Sequence, residues 1–109
     1  MNLSVHERMV LLDILPREGT FVKLRLLKEL RTFLGFSEVD IERFKPKETQ
    51  LEDGRGRVEW DMSVDQMTEI SISPTQREMI VEALQKMNAE ARLTDREYSL
   101  YEKFVEGLE

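Results

Sequence analysis

The sequence predicts an α+β fold, and three observations predict it. Five Ser or Thr residues each stand at the head of a predicted helical run, as helix N-caps do. A middle stretch changes from the helical period to a period of two. Pro and Gly fall where the helical runs stop. The expected order is three N-terminal helices, a small antiparallel sheet of two or three strands, and two C-terminal helices. The chain reads as a single domain over residues 1–109, with a helical part 4–44, a loop and small sheet 45–72, and a helical pair 74–108.

The elements follow from local chemistry. Ser4-Val5-His6-Glu7 has the form of a capping box, in which Ser accepts a helical N–H and Glu reaches back to the Ser N–H. Val5, Met9, Leu11, Leu12 and Ile14 recur behind it at helical spacing, and Pro16 and Gly19 close the helix. A second helix follows Thr20, with Val22, Leu26, Leu27, Leu30, Phe33 and Leu34 as its apolar stripe and Gly35 as its C-cap. Ser37 heads a short third helix through Phe44, with Glu38 and Asp40 where carboxylates favour the helix dipole. Pro46 bars continuation.

Residues 45–56 are polar, with Asp53-Gly54 and Gly56 as turn signals. Val58 and Trp60 alternate with charged neighbours, and Ile70 and Ile72 alternate with Glu69, Ser71 and Ser73, so both stretches predict half-buried strands. Leu51 is expected in a third strand, paired across the Asp53-Gly54 turn. Ser73-Pro74-Thr75-Gln76 starts a fourth helix whose buried stripe is Ile80, Ala83, Leu84, Met87 and Ala91. Thr94-Asp95-Arg96-Glu97 starts a fifth, with Leu93 and Tyr98 as a hydrophobic staple and Leu100, Tyr101, Phe104, Val105 and Leu108 as its apolar face.

Composition narrows the function. The 109 residues carry sixteen Lys and Arg against twenty-two Asp and Glu, a net charge of −6. An acidic balance disfavours indiscriminate nucleic-acid binding, which requires neutralising phosphates. The charge is uneven: residues 1–50 sum to +1 and residues 51–109 to −7. Without cysteine there is no disulfide scaffold, thiolate metal site or cysteine nucleophile. No apolar run is long enough for a membrane span, and no secretory signal is legible at residues 1–8, so a cytoplasmic location is expected.

Nothing in the sequence forms a catalytic set. His6 is the sole histidine and sits at a helix start, an exposed position rather than a triad base or zinc ligand. Gly54-Arg55-Gly56 lacks the spacing of a phosphate loop. Glu52, Asp53, Glu59, Asp61, Asp65 and Glu69 crowd the sheet region without calcium-loop spacing. The expectation is therefore no enzyme, no metal and no cofactor.

Binding residues are easier to nominate. Lys23, Arg25, Lys28 and Arg31 give the second helix a basic side against one acid, Glu29. Arg55 and Arg57 flank a glycine at the expected hairpin tip, and Phe21 falls off the apolar stripe toward the charged side. Helices followed by a basic hairpin follow the order of a winged helix-turn-helix, a DNA-binding architecture. The helix in the recognition position, Ser37-Glu38-Val39-Asp40-Ile41-Glu42-Arg43, is mostly acidic, which opposes that use.

Leu15-Pro16-Arg17-Glu18-Gly19-Thr20-Phe21 with the basic leucine-rich helix behind it resembles a family of small accessory proteins of tailed bacteriophages, as do Phe36-Ser37-Glu38, Trp60, Glu69-Ile70-Ser71-Ile72, Leu93-Thr94 and Ser99-Leu100-Tyr101-Glu102-Lys103-Phe104. Together these cover most of the chain, although the segment 45–56 is longer here. The resemblance transfers no catalytic or binding residue. It implies a phage or prophage source and a small accessory role. The expectation is a non-enzymatic protein–protein interaction module that modulates a host or phage protein in the host cytoplasm. A DNA-binding regulator is the alternative, and a virion structural or assembly component, with homodimerisation, is a further one.

Overall fold

A computed structural model describes residues 1–50, 52, 54 and 56–107. The chain is α+β, in the order β1 (Asn2–Ser4), α1 (Val5–Ile14), α2 (Phe21–Leu34), α3 (Glu38–Phe44), β2 (Lys47–Gln50), β3 (Gly56–Glu59), β4 (Met67–Glu69), α4 (Pro74–Ala89) and α5 (Asp95–Phe104). It divides into two compact units. One is built from Met1–Gly35 with Met67–Glu109, the other from Phe36–Gln66.

Capping chemistry sets the helix starts. Ser4 accepts the Glu7 N–H at 3.1 Å while the Glu7 carboxylate accepts the Ser4 N–H at 2.9 Å. Ser37 and Asp40 repeat the arrangement before α3, and Ser73 and Gln76 before α4. At α5 the Glu97 carboxylate accepts both the N–H and the hydroxyl of Thr94, and the Glu97 N–H goes to the Thr94 carbonyl at 3.1 Å. Gly35 caps α2 in an extended conformation, not a left-handed one, and it is Lys45 that turns left-handed after α3.

The first unit closes a ring of four helices. α1 packs on α2 and on α5, and α4 packs on the same two. Leu27, Leu30 and Leu34 of α2, Val10 and Leu11 of α1, Met79, Ile80 and Leu84 of α4, and Leu100 and Phe104 of α5 fill the centre. β1 pairs antiparallel with β4, placing Leu3 opposite Thr68, and buries Leu3 in the same core.

Two polar residues stitch this unit at depth. Arg8 is fully buried, and its guanidinium donates to the Leu34 carbonyl at 3.0 Å and the Gly35 carbonyl at 2.6 Å, the end of α2. A cation there satisfies carbonyls that lack helical partners and opposes the negative end of the dipole. Gln76 completes its own cap and donates from Nε2 to the Leu26 carbonyl at 2.9 Å, tying α4 to α2.

Several sequence expectations are corrected. The strands do not form one sheet but two separate two-stranded sheets among the described residues. β1 arises where no strand is expected, while β2, at Lys47–Gln50 and paired with β3, is the third strand expected about Leu51, set a few residues earlier. The β2–β3 hairpin is exposed on both faces, so Lys47-Glu48-Thr49-Gln50 shows no hydrophobic alternation. Ile70 and Ile72 follow the β4 ladder instead of forming it. Val22 and Phe33 of the expected α2 stripe are exposed, because they lie to one side of the Leu27/Leu30/Leu34 row. Ala91 of the expected α4 stripe lies beyond the helix in a left-handed turn. Trp60 is half-buried and follows β3, with its Nε1 donating to Gln66 at 2.7 Å. Leu51, Asp53, Arg55 and Leu108 lie outside the described residues.

Candidate functional site

The outer face of α2 carries the largest departure from ordinary burial. Thr20 caps the helix by accepting the Lys23 N–H at 3.3 Å, and the next residue, Phe21, is 72% exposed. Phe21, Arg25, Lys28 and Thr32 recur at helical spacing on the side opposite the core row. The Arg25 guanidinium lies 5.0 Å from the centre of the Phe21 ring, a cation–π contact that holds both side chains on the surface. Val22, 63% exposed, and Phe33, 52% exposed, extend this face as an apolar flank. Neither Arg25 nor Lys28 forms an ion pair with a described residue.

The nominated basic residues do not share one face. Arg25 and Lys28 stand on the outer side of α2. Lys23 is on the side toward α4 and lines a cleft with Pro16, Gly19 and Glu82. Arg31 is half-buried and donates to the Pro16 carbonyl, clamping the α1–α2 connection. Arg57 belongs to the second unit, where Glu59 neutralises it at 3.3 Å. Arg55 lies outside the described residues.

A second surface of the first unit was visible in sequence only as an acidic half. Its components are Asp95, Tyr98 and Glu102, which line the outer side of α5 opposite Leu100 and Phe104, and Glu106, exposed two residues beyond the helix end. Tyr98 is 67% exposed and, with Leu93, Thr94, Tyr101, Glu102 and Glu106, forms a shallow groove of about 310 Å³. Leu93 and Tyr98 thus both border this groove, and Tyr98 gains little of the burial expected of a staple residue. Asp95, Glu102 and Glu106 have no cationic partner among the described residues. The signal that could have found this face is the spacing of Asp95, Tyr98 and Glu102, the complement of the α5 core row.

The perturbed carboxylates belong to the framework. Burial raises the pKa of Glu7, but hydrogen bonds from Lys103, the Ser4 N–H and Ser99 outweigh it and hold the carboxyl below its ordinary value. Glu97 is likewise lowered: burial opposes, and the Thr94 hydroxyl and N–H prevail. Ser63 lowers Asp61 through its hydroxyl and N–H in a tight loop. These groups stabilise a charged form rather than poise one near neutrality, as an acid or base would require.

Among the described residues, chemistry-bearing groups are not gathered elsewhere. His6 is exposed at the second position of α1. Among the described residues no three His, Asp or Glu side chains are placed to hold a metal ion. No described helix is long and apolar enough to cross a membrane. Comparison with family models, curated proteins and solved structures returns no match for this chain.

Proposed function

We propose that this chain is a non-enzymatic protein–protein interaction module, phage-encoded and acting on a host or phage protein in the host cytoplasm, and that the outer face of α2 is its contact surface. The observation that carries this reading is Phe21, a large aromatic 72% exposed beneath Arg25 on a well-capped helix. Exposed aromatics beside Arg are what interface centres concentrate. The unpaired Arg25 and Lys28 favour an acidic, partly apolar partner surface.

The alternative, a winged-helix DNA-binding regulator, has the β2–β3 hairpin after α3 in its favour. It is weakened by Arg57 being paired with Glu59, by β1 joining β4 and not the hairpin, and by Glu38 and Glu42 exposed on α3.

Affinity capture tests the reading. Immobilised wild type and a Phe21→Ala/Arg25→Ala variant of matched helical content are exposed to bacterial lysate at low and moderate salt. The expected result is a stoichiometric protein partner on the wild type, reduced at least about tenfold on the variant, a loss typical of a contact-centre pair. Equal capture by both, or DNA recovered in place of protein, refutes it.

A further inference from the structure

The first unit presents two unlike faces in opposite directions. α2 and α5 each pack on α1 and α4, while α2 and α5 share no substantial contact with one another, so they are diagonal in the four-helix ring. Their outer faces therefore point away from each other. One is aromatic and basic, with Phe21, Arg25 and Lys28. The other is aromatic and acidic, with Tyr98 and Glu102 on α5 and Glu106 just past its end. The charged groups of both faces lack ion-pair partners among the described residues.

The two rows also match in spacing. Phe21 precedes Arg25 by four residues, and Tyr98 precedes Glu102 by four, about 6 Å along either axis at roughly 1.5 Å per residue. Lys28 follows Arg25 by three residues within α2, whereas Glu106 lies two residues past the end of α5, so the pair matched in helical spacing is Arg25 with Glu102. Laid side by side, Phe21 meets Tyr98 and Arg25 meets Glu102.

We infer that the partner the α2 face accepts is the α5 face of a second copy of this chain. This rests on the reading of α2 as a contact surface and names its occupant. Because the two faces differ and point in opposite directions, the contact is heterologous: the dimer leaves one face of each kind open at its two ends, and association continues past it. Such a contact is small and charge-assisted, so it is weak and salt-sensitive.

Sedimentation equilibrium of the purified chain tests it, at concentrations up to about 1 mM, a range that detects weak association, and at low and high salt. The wild type is expected to exceed twice its 12.9 kDa mass at low salt and to return toward 12.9 kDa at high salt. Phe21→Ala/Arg25→Ala removes one face and Tyr98→Ala/Glu102→Ala the other, and each variant alone is expected to stay monomeric. Mixed, the two variants retain one good face each and are expected to stop at a 1:1 dimer. A wild type that stays monomeric throughout, a wild type that plateaus at a dimer, or growth that persists in either variant overturns the inference. If the wild type is monomeric while lysate capture still depends on Phe21 and Arg25, self-association fails and the α2 contact surface stands. Loss of both outcomes removes the surface itself. Matching circular dichroism confirms that all forms are folded.

Discussion

Replacing Arg8 with Met tests the account of the first unit most directly. The guanidinium is fully buried, and two of its bonds end on backbone carbonyls, at 3.0 Å on Leu34 and 2.6 Å on Gly35. Hydrogen bonds to charged groups contribute about 1.5–3 kcal/mol each, and a buried carbonyl left unpaired costs about 1–3 kcal/mol. Against this, Met is apolar and its burial avoids the cost of desolvating a cation. The balance is a loss of about 3 kcal/mol, a large share of a total stability of roughly 5–15 kcal/mol. At roughly 4–8 °C per kcal/mol for a domain of this size, the melting midpoint should fall by about 12–24 °C. Urea unfolding followed by far-UV circular dichroism gives the free energy, and a thermal scan gives the midpoint. Arg8→Lys should recover part of the loss, since it keeps the charge but not the planar fork. If Arg8→Met costs less than about 1 kcal/mol, the α2 terminus does not depend on this clamp and the reasoning is wrong.

Two further outcomes follow from the framework. Glu7 and Glu97 have folded pKa values below their ordinary 4.5, so each contributes stability that is present above that value and is lost as pH falls through the lowered one. Lys103→Met removes the 2.7 Å bond to Glu7, so stability should drop less between pH 5 and pH 3 in the variant than in the wild type; equal slopes in urea titrations would exclude this role. Gln76→Ala severs both the cap bond to the Ser73 N–H and the bond to the Leu26 carbonyl, at 3.0 and 2.9 Å, and should cost about 2 kcal/mol. A midpoint in urea unchanged from the wild type would show that α4 is held to α2 by apolar packing alone.

What was legible in the sequence is what is local. Ser4 with Glu7, Ser73 with Gln76 and Thr94 with Glu97 lie three residues apart, and each pair sets a helix start that the structure places within a residue of expectation. What was not legible depends on distant partners. Asn2-Leu3-Ser4 becomes a strand only because Met67-Thr68-Glu69 lies beside it, and three residues hold too little periodicity to announce that. Arg8 occupies a core position that hydrophobic patterning assigns to an apolar side chain; its burial makes sense only once the end of α2 is in place. The surfaces behaved the same way. The basic character of α2 was readable, but a helix wheel cannot say that Arg31 is spent on Pro16 or that Arg57 is spent on Glu59. On α5 the Leu100 and Phe104 row is legible in the sequence, but that Asp95 and Glu102 opposite it have no cationic partner among the described residues is visible only in the fold.

The pairing of β1 with β4 has a consequence for synthesis. Leu3 meets Thr68, some 65 residues later, and the intervening Phe36–Gln66 unit is complete in sequence before the first unit is. At translation rates of about 5–20 residues per second, the opening strand waits about 3–13 s for its partner. Throughout that interval α1 and α2 lack both α4 and α5, and the leucine row of α2 has only α1 to cover it. The second unit draws its contacts from one continuous segment and needs no later residue to complete them. A nascent chain of this protein thus passes through a stage in which the whole of the inner segment Phe36–Gln66 has been synthesised while the unit that flanks it still lacks β4, α4 and α5.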